Sequence, residues 1–408
     1  MPGHNSRRKL VFHIGHHKTG TTTSQYGFAT GRIDVADKKI LYPATMSHNY
    51  LAREFARYIE SGHATESFET GPSLPEISRL LAREDYDYAV FSAEDFEGAN
   101  PAEFGKVLDR FFVPNVTDHT VMCYVRPHAA RILSSFAEMT KLGATDGSVK
   151  AFHQQIERTQ RLRYTQKLGR WQTQFGTHFV ARPMVRDVLK NGSLIEDFVE
   201  KAFDPGLDVS LAPGGSANES LSLEDLALLR HLQGRLAHLG KHTRHSIGWS
   251  FLQKCGMRGP QTQATKLALD KETAELIRKT YLSDARALDA GLFAETPIME
   301  RELERAVDTA IAKPQSLALS DFLSPDAVRA IDLYADMTLE LLDENQARVR
   351  DRLRQRRFER LHGEVPSDGP GHHGWAGEKT SKEPGARKRK LWPIGPGYKS
   401  RLKRLIGR

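Results

Sequence analysis

The stretch LVFHIGHHKTGTTTSQ, Leu10 to Gln25, decides how the chain is read. An apolar run ends at Gly15, Gly20 follows five residues later, and Thr21, Thr22 and Thr23 come next. An apolar run that stops at a glycine-containing turn and leads into a helix start predicts a strand, a loop and a helix. The glycine spacing is that of a loop that cradles phosphate, but its lysine is misplaced. A nucleotide triphosphatase loop reads G-x-x-x-x-G-K-[ST], with the lysine after the second glycine and the next hydroxyl on magnesium. Here Thr21 follows Gly20, and Lys18 stands two residues before it. Backbone N–H groups from Lys18 to Thr22 can still point into an anion at the helix start, where the dipole favours negative charge. Anion binding is therefore expected, and ATP with magnesium is not implied.

Working outward, the first half repeats strand and helix signals. YDYAVFSAEDF (Tyr86–Phe96) and HTVMCYVRP (His119–Pro127) are apolar runs of buried-strand length, and THFVARPMV (Thr177–Val185) is a weaker one. The segment VLKNGSLIEDFVEKAF then has helical spacing. This recurrence predicts a parallel sheet covered by helices. Beyond about Pro213 the pattern is helical: Ser222 is a candidate N-cap with Asp225 three residues on, and Ser324 with Pro325 opens a further helix. After about His362 the chain is rich in Gly and Pro and poor in apolar residues, which predicts a disordered tail.

Length and charge limit the partners. With 408 residues and 39% hydrophobic content the chain can bury a sizeable core. The net charge of +8 is unevenly placed. Arg348 to Arg408 holds 18 basic and 6 acidic residues, a net of +12, which leaves 41 basic and 45 acidic residues elsewhere, a net of −4. The basic character belongs to the tail, so no nucleic-acid partner is expected for the body. In the tail, Tyr398, Leu402, Leu405 and Ile406 alternate with Lys399, Lys403 and Arg404, a short basic amphipathic pattern suited to an anionic membrane surface. A basic terminus that binds nothing specific is the competing reading. The amino terminus reads as no signal peptide, and no run reaches the roughly 18 apolar residues of a membrane-spanning helix. Cys123 lies in an apolar run and Cys255 is the only other cysteine, so a buried thiol and a reducing, cytoplasmic location are expected.

Two further motifs bear on the loop. YVRPHAARILSSF places Arg126 at a strand end and Ser134 eight residues on, about two helical turns away, with Ser135 as a neighbour. Such an Arg offers fork-shaped donors to phosphate oxygens, and the Ser adds a neutral one. FSAEDF, Phe91 to Phe96, puts Glu94 and Asp95 after another strand, at the sheet edge where open α/β folds bind ligands. Glu94 is a candidate to accept a proton from a hydroxyl. Asp95 would be the magnesium acid of a nucleotide hydrolase, a reading that needs the lysine this loop lacks. His16 and His17 flank Lys18 and are alternative bases. The histidines of HLQGRLAHLGKHTRH have no regular metal spacing, and no metal site is expected.

Taken together, HIGHHKTGTTTSQ, YVRPHAARILSSF and FSAEDF resemble the signatures of bacterial sulfotransferases, over about residues 9 to 200. In the third, Ala93 replaces the second serine of the family's S-S-E string. KCGMRGP, around Lys254 and Arg258, has only a faint likeness to the basic loop that closes over the cofactor in cytosolic members, too distant to transfer a role. The resemblance implies an α/β fold with a P-loop-type parallel sheet flanked by helices, a helical C-terminal half and the disordered basic tail. The expected limits are a sulfotransferase domain over 9–345, divided into a cofactor-binding core (9–210) and a helical part (211–345), a helix extension over 346–361 and a tail over 362–408. It also implies 3′-phosphoadenosine 5′-phosphosulfate as sulfuryl donor and no metal. Lys18, Thr19, Gly20, Thr21 and Thr22 would hold the 5′ end, Arg126 and Ser134 the 3′-phosphate, and Lys18 and Glu94 would be catalytic. The acceptor would be a hydroxyl, by family analogy on a carbohydrate or glycolipid, with the tail as a peripheral contact at the inner membrane. The alternatives are a nucleotide kinase or hydrolase, and a non-catalytic nucleotide-binding scaffold at the membrane.

Overall fold

A computed structural model of the chain describes residues 8–15, 19–64, 71–145, 147–212, 221–258, 264–293, 296–343 and 346–362. Lys18, with His16 and His17, and the tail after residue 362 lie outside the described residues. The first half runs β1 (Lys9–His13), α1 (Thr21–Ala29), β2 (Ile33–Val35), β3 (Ile40–Leu41), α2 (Tyr50–Ser61), α3 (Leu74–Arg83), β4 (Tyr88–Ser92) and α4 (Pro101–Phe111). It continues through β5 (Asp118–Val125), α5 (His128–Lys141), α6 (Val149–Arg158), α7 (Tyr164–Phe175), β6 (Phe179–Pro183), α8 (Leu194–Ala202) and β7 (Val209–Leu211). Helices follow: α9 (Leu223–Arg235), α10 (Lys241–Arg258), α11 (Lys271–Gly291), α12 (Ile298–Asp308), α13 (Pro325–Asp343) and α14 (Gln346–His362).

Five strands form one sheet in the order β3-β4-β1-β5-β6, with every pairing parallel. The central strand β1 is apolar throughout its middle because both of its faces are covered. Its period of two sends Leu10 and Phe12 into one core cluster and Val11 into the other, and all three are fully buried. Phe12 is the centre of the larger cluster. Its ring meets those of Phe55, Phe91, Phe96, Phe104 and Phe112 at centroid separations of 4.9 to 6.0 Å. On the other face Tyr88 stacks on Phe203 at 4.1 Å. The expected strand and helix alternation is therefore the observed fold class, a mixed α/β chain with a parallel sheet flanked by helices and a helical C-terminal half.

Local chemistry sets several helix starts. Ser222 Oγ accepts the Asp225 N–H at 3.0 Å and opens α9, and Ser324 Oγ accepts the Ala327 N–H at 3.3 Å ahead of α13. Helical spacing upstream of α8 gives only short 3-10 turns and no α-helix: Asn191 and Gly192 take φ of 51° and 67°, and the α-helix starts only after Ser193, whose Oγ accepts the Glu196 N–H. Lys254 and Arg258 belong to the end of α10 rather than to a loop. The C-terminal helices add layers. Helix α9 packs on α5, α13 covers α9, and α14 covers α10. His231 bonds Asp332 at 2.7 Å between α9 and α13. Trp249 of α10 lies between two cations, Lys141 Nζ at 3.9 Å and Arg357 Cζ at 3.8 Å from its ring centroid. Cys123 is a buried free thiol in β5, and burial raises its pKa; Cys255 is also free.

Phe12→Ala should lower the free energy of unfolding by about 3–5 kcal/mol, the usual cost of removing a buried aromatic ring. Urea unfolding would measure this, and a loss below about 1 kcal/mol would show that the cluster closes around the gap without Phe12.

Candidate functional site

The parallel register places His13 level with Ser92, so the segments leaving β1 and β4 emerge side by side, while β5, level at Met122, continues to Val125 before it leaves the same edge of the sheet. This is the edge at which open parallel sheets hold ligands. After β1 the loop returns to helix α1 through Gly20, which has φ of 74°. A Cβ there would meet Leu194 Cδ2 at 2.5 Å and Met184 Cε at 3.1 Å, so both conformation and packing require glycine. At Gly15 a Cβ would come within 2.3 Å of Thr21 Cγ2. Gly15 is thus pressed against the start of α1, with Thr19 fully buried and Thr22 half-buried in the first turn of that helix.

Glu94 opens a 3-10 turn, Glu94–Gly98, directly after β4. The Thr21 hydroxyl donates to Glu94 Oε1, joining the loop of β1 to the turn of β4. Asn49, just before α2, accepts the Glu94 N–H at 2.7 Å and the Asp95 N–H at 3.4 Å, which holds that turn in place. Asp95 itself is exposed. Beneath the loop lies a buried polar layer. His13 Nδ1 lies 2.9 Å from Ser92 Oγ, and Gln25 Nε2 donates to the same hydroxyl at 3.1 Å. His48 Nδ1 accepts the Ser92 N–H at 3.1 Å, so its proton sits on Nε2 when the ring is neutral. His13 Nε2 is buried and has no hydrogen-bond partner among the described residues, and it lies 3.6 Å from where a Gly15 Cβ would stand.

Beyond β5, the Arg126 guanidinium donates through Nη1 to Ser134 Oγ at 3.1 Å. Tyr164 OH donates to the Arg126 carbonyl at 3.2 Å, so α7 braces this strand end. Burial, and then the charge of Arg131, lowers the Arg126 pKa. Ser135 accepts instead from Arg131 Nε at 3.2 Å. The structure thus brings Thr21 to Glu94 and Arg126 to Ser134, on neighbouring strand ends. Among the described residues no His, Cys, Asp and Glu group could hold a metal.

Sequence reading missed the supports. Gln25 stood in the quoted stretch, but nothing marked Ser92 as its partner. Asn49, Glu97, Arg131 and Arg161 are joined to the site only by the fold.

No protein-family model matches the chain, and no curated protein matches it. Among solved structures, the sulfotransferase from Alicyclobacillus acidocaldarius is similar over 71% of this chain and 98% of that one, at 14% identity and a TM-score of 0.38. At that distance, the chemistry rests on the residues of the site itself.

The buried histidines set a pH dependence. Burial lowers His13 from 6.5 to about 4, against the opposing charge of Glu94, and lowers His48 to about 3. An unfolded histidine takes up its proton near 6.5, so below that pH the unfolded chain binds more protons than the folded one. The stability from these rings is complete above pH 6.5 and falls as the pH drops toward 4, by about 1.4 kcal/mol per pH unit for each ring. Urea unfolding at pH 7.5, 6.0 and 5.0 tests this, and an unfolding free energy that does not decline would show that the rings are charged in the fold.

Proposed function

We propose that the chain is a sulfotransferase that moves a sulfuryl group from 3′-phosphoadenosine 5′-phosphosulfate to an acceptor hydroxyl. The observation that carries this reading is the placement of the loop after β1 and the Arg126–Ser134 pair after β5 on adjacent strands at one sheet edge. The residues fit an anionic nucleotide. Gly15 leaves no room for a side chain against Thr21 and Gly20 none against Leu194 and Met184, the N-terminus of α1 begins directly after Gly20, and His13 Nε2 lies 3.6 Å from where a Gly15 Cβ would stand. A kinase or hydrolase reading lacks the lysine after Gly20. A non-catalytic scaffold would bind the nucleotide without turnover.

The donor, when bound, supplies a sulfuryl group on an activated phosphate. The protein's part is positioning and charge stabilisation. Thr19, Thr21, Thr22 and the loop amides hold the 5′-phosphate, and the Arg126 fork with the Ser134 hydroxyl takes the 3′-phosphate. Lys18, by its place in the loop, supplies the cation that favours charge on the leaving oxygen. Glu94 receives the acceptor's proton, and the Thr21 and Asn49 bonds hold the turn that carries it. A carbohydrate or glycolipid acceptor follows from the family resemblance alone, as does the absence of a metal requirement. Among the described residues no helix is long and apolar enough to cross a membrane, and the basic tail is the proposed peripheral contact.

Calorimetry should find tight binding of adenosine 3′,5′-bisphosphate and weak binding of ATP with magnesium. The reverse order would favour the kinase or hydrolase. Lys18→Ala should cost roughly 10²- to 10³-fold in turnover and leave the fold intact, and activity within threefold of wild type would remove Lys18 from the mechanism. Glu94→Gln should keep bisphosphate affinity and lose turnover; normal turnover would place the base elsewhere, with His16 and His17 next in line. Deleting residues 385–408 should abolish salt-sensitive binding to anionic vesicles without changing turnover on a soluble acceptor.

A further inference from the structure

One residue group beside the site is not used by that mechanism. Glu97, in the same turn as Glu94, is buried and gathers two guanidinium groups. Arg131 Nη2 lies 3.2 Å from both of its oxygens, and Arg161 reaches it through Nε at 3.3 Å and Nη2 at 2.8 Å. Lys167 of α7 donates to the Arg161 carbonyl at 2.7 Å, which brings a third cation to the group. Burial lowers the Lys167 pKa; Arg161 and Arg131 push in the same direction, while Glu97 and Asp284 oppose them. Asp284 is already engaged: His128 Nε2 lies at 3.0 Å, the Tyr164 N–H at 2.9 Å and the Thr165 N–H at 3.1 Å. Arg126 is close enough to feel the charge of Arg131, which lowers its pKa after burial.

Four cations thus share a region in which Glu97 is the carboxylate that directly bonds two of them. Gathering like charges away from water is unfavourable unless an anion offsets them. The cations also divide by exposure. Arg131 is buried and acts as a fixed post, whereas Arg161 keeps 45% of its side chain in solvent and Lys167 is half-buried. Arg161 therefore presents charge at the surface with Lys167 beside it; Glu97 ties Arg161 to the turn that carries Glu94, and Lys167 is held through the Arg161 carbonyl.

We propose that Arg161 and Lys167 form a second oxyanion subsite beside Glu94, which takes a carboxylate, sulfate or phosphate already carried by the acceptor. The acceptor would then be an anionic molecule, bound by this charged group while its hydroxyl faces Glu94. This rests on the sulfotransferase reading. The other source of the same chemistry is the donor's own 3′-phosphate, assigned above to Arg126 and Ser134.

Inorganic sulfate is the probe, titrated at constant ionic strength onto protein saturated with adenosine 3′,5′-bisphosphate, so that both phosphate positions are filled. Wild type should bind sulfate saturably. Arg161→Gln with Lys167→Gln should weaken that binding at least tenfold and change bisphosphate affinity less than twofold, and Lys167→Arg should retain sulfate binding. Glu97 keeps Arg131 in the double variant, so no buried carboxylate is left unpaired. Sulfate binding that is absent from wild type, or equal in both proteins, would overturn the subsite. So would a tenfold loss of bisphosphate affinity, which would assign the cations to the donor. If wild type does not bind the bisphosphate, the sulfotransferase reading fails separately, and sulfate titrated alone onto the same variants still decides the subsite.

Discussion

The pairing of β1 with β4 on one side and β5 on the other is the constraint on which the site depends. β1 and β4 end level at His13 and Ser92, whereas β5 passes Met122 and continues to Val125. The strands then release different pieces of chemistry at the same edge: the glycine loop and the Glu94 turn level with each other, and the Arg126 corner about 10 Å further along. The Thr21–Glu94 bond is a direct result, because two loops that leave adjacent strands in the same direction meet within a few residues. A slip of one residue in β1 would exchange the faces of Phe12 and Val11 and lose both core clusters. The packing that stabilises the sheet is thus also what aligns the site.

Under the loop, the fold accepts an unusual amount of buried polarity. His13, Gln25, His48 and Ser92 are all nearly inaccessible to water, yet all are joined through Ser92. A connected group of this kind is much less costly than isolated polar atoms, and it permits few alternative arrangements. Ser92 uses its backbone N–H and its hydroxyl on three different elements, so β1, α1 and the segment before α2 are fixed relative to β4. Gly15, which follows this layer in the chain, therefore starts from a floor with little freedom.

The sequence made the long features readable. Apolar runs of Val, Phe and Tyr marked β1, β4, β5 and β6, and Ser222 and Ser324 marked helix starts, because these signals are local. The three-residue strands β2 and β7 were invisible, since each is too short to show alternation and they pair across more than 170 positions. The start of α8 was misplaced because helical spacing continued through Asn191 and Gly192, where positive φ overrides it. The Arg126–Ser134 contact was legible because Arg126 sits just before the start of α5 and Ser134 lies about two turns along that helix, within reach of a long side chain. Glu97 with Arg161, 64 positions apart, was not legible, and neither was Asn49 with Glu94. Supports that act across the fold leave no spacing to read.

The cation-flanked ring of Trp249 has a consequence for observing this protein. An indole between an ammonium and a guanidinium has an emission spectrum set by those charges and by its shelter from water. One of the two belongs to α14, the last described helix, and the other to α5, beside the sheet. Lifting α14 would remove one charge, wet the ring and shift its fluorescence, while Trp171, stacked on Phe175 in the main core, would keep its own signal. Once Trp375 and Trp392 are replaced, the two remaining indoles form an optical probe that separates loosening of this helical layer from melting of the sheet.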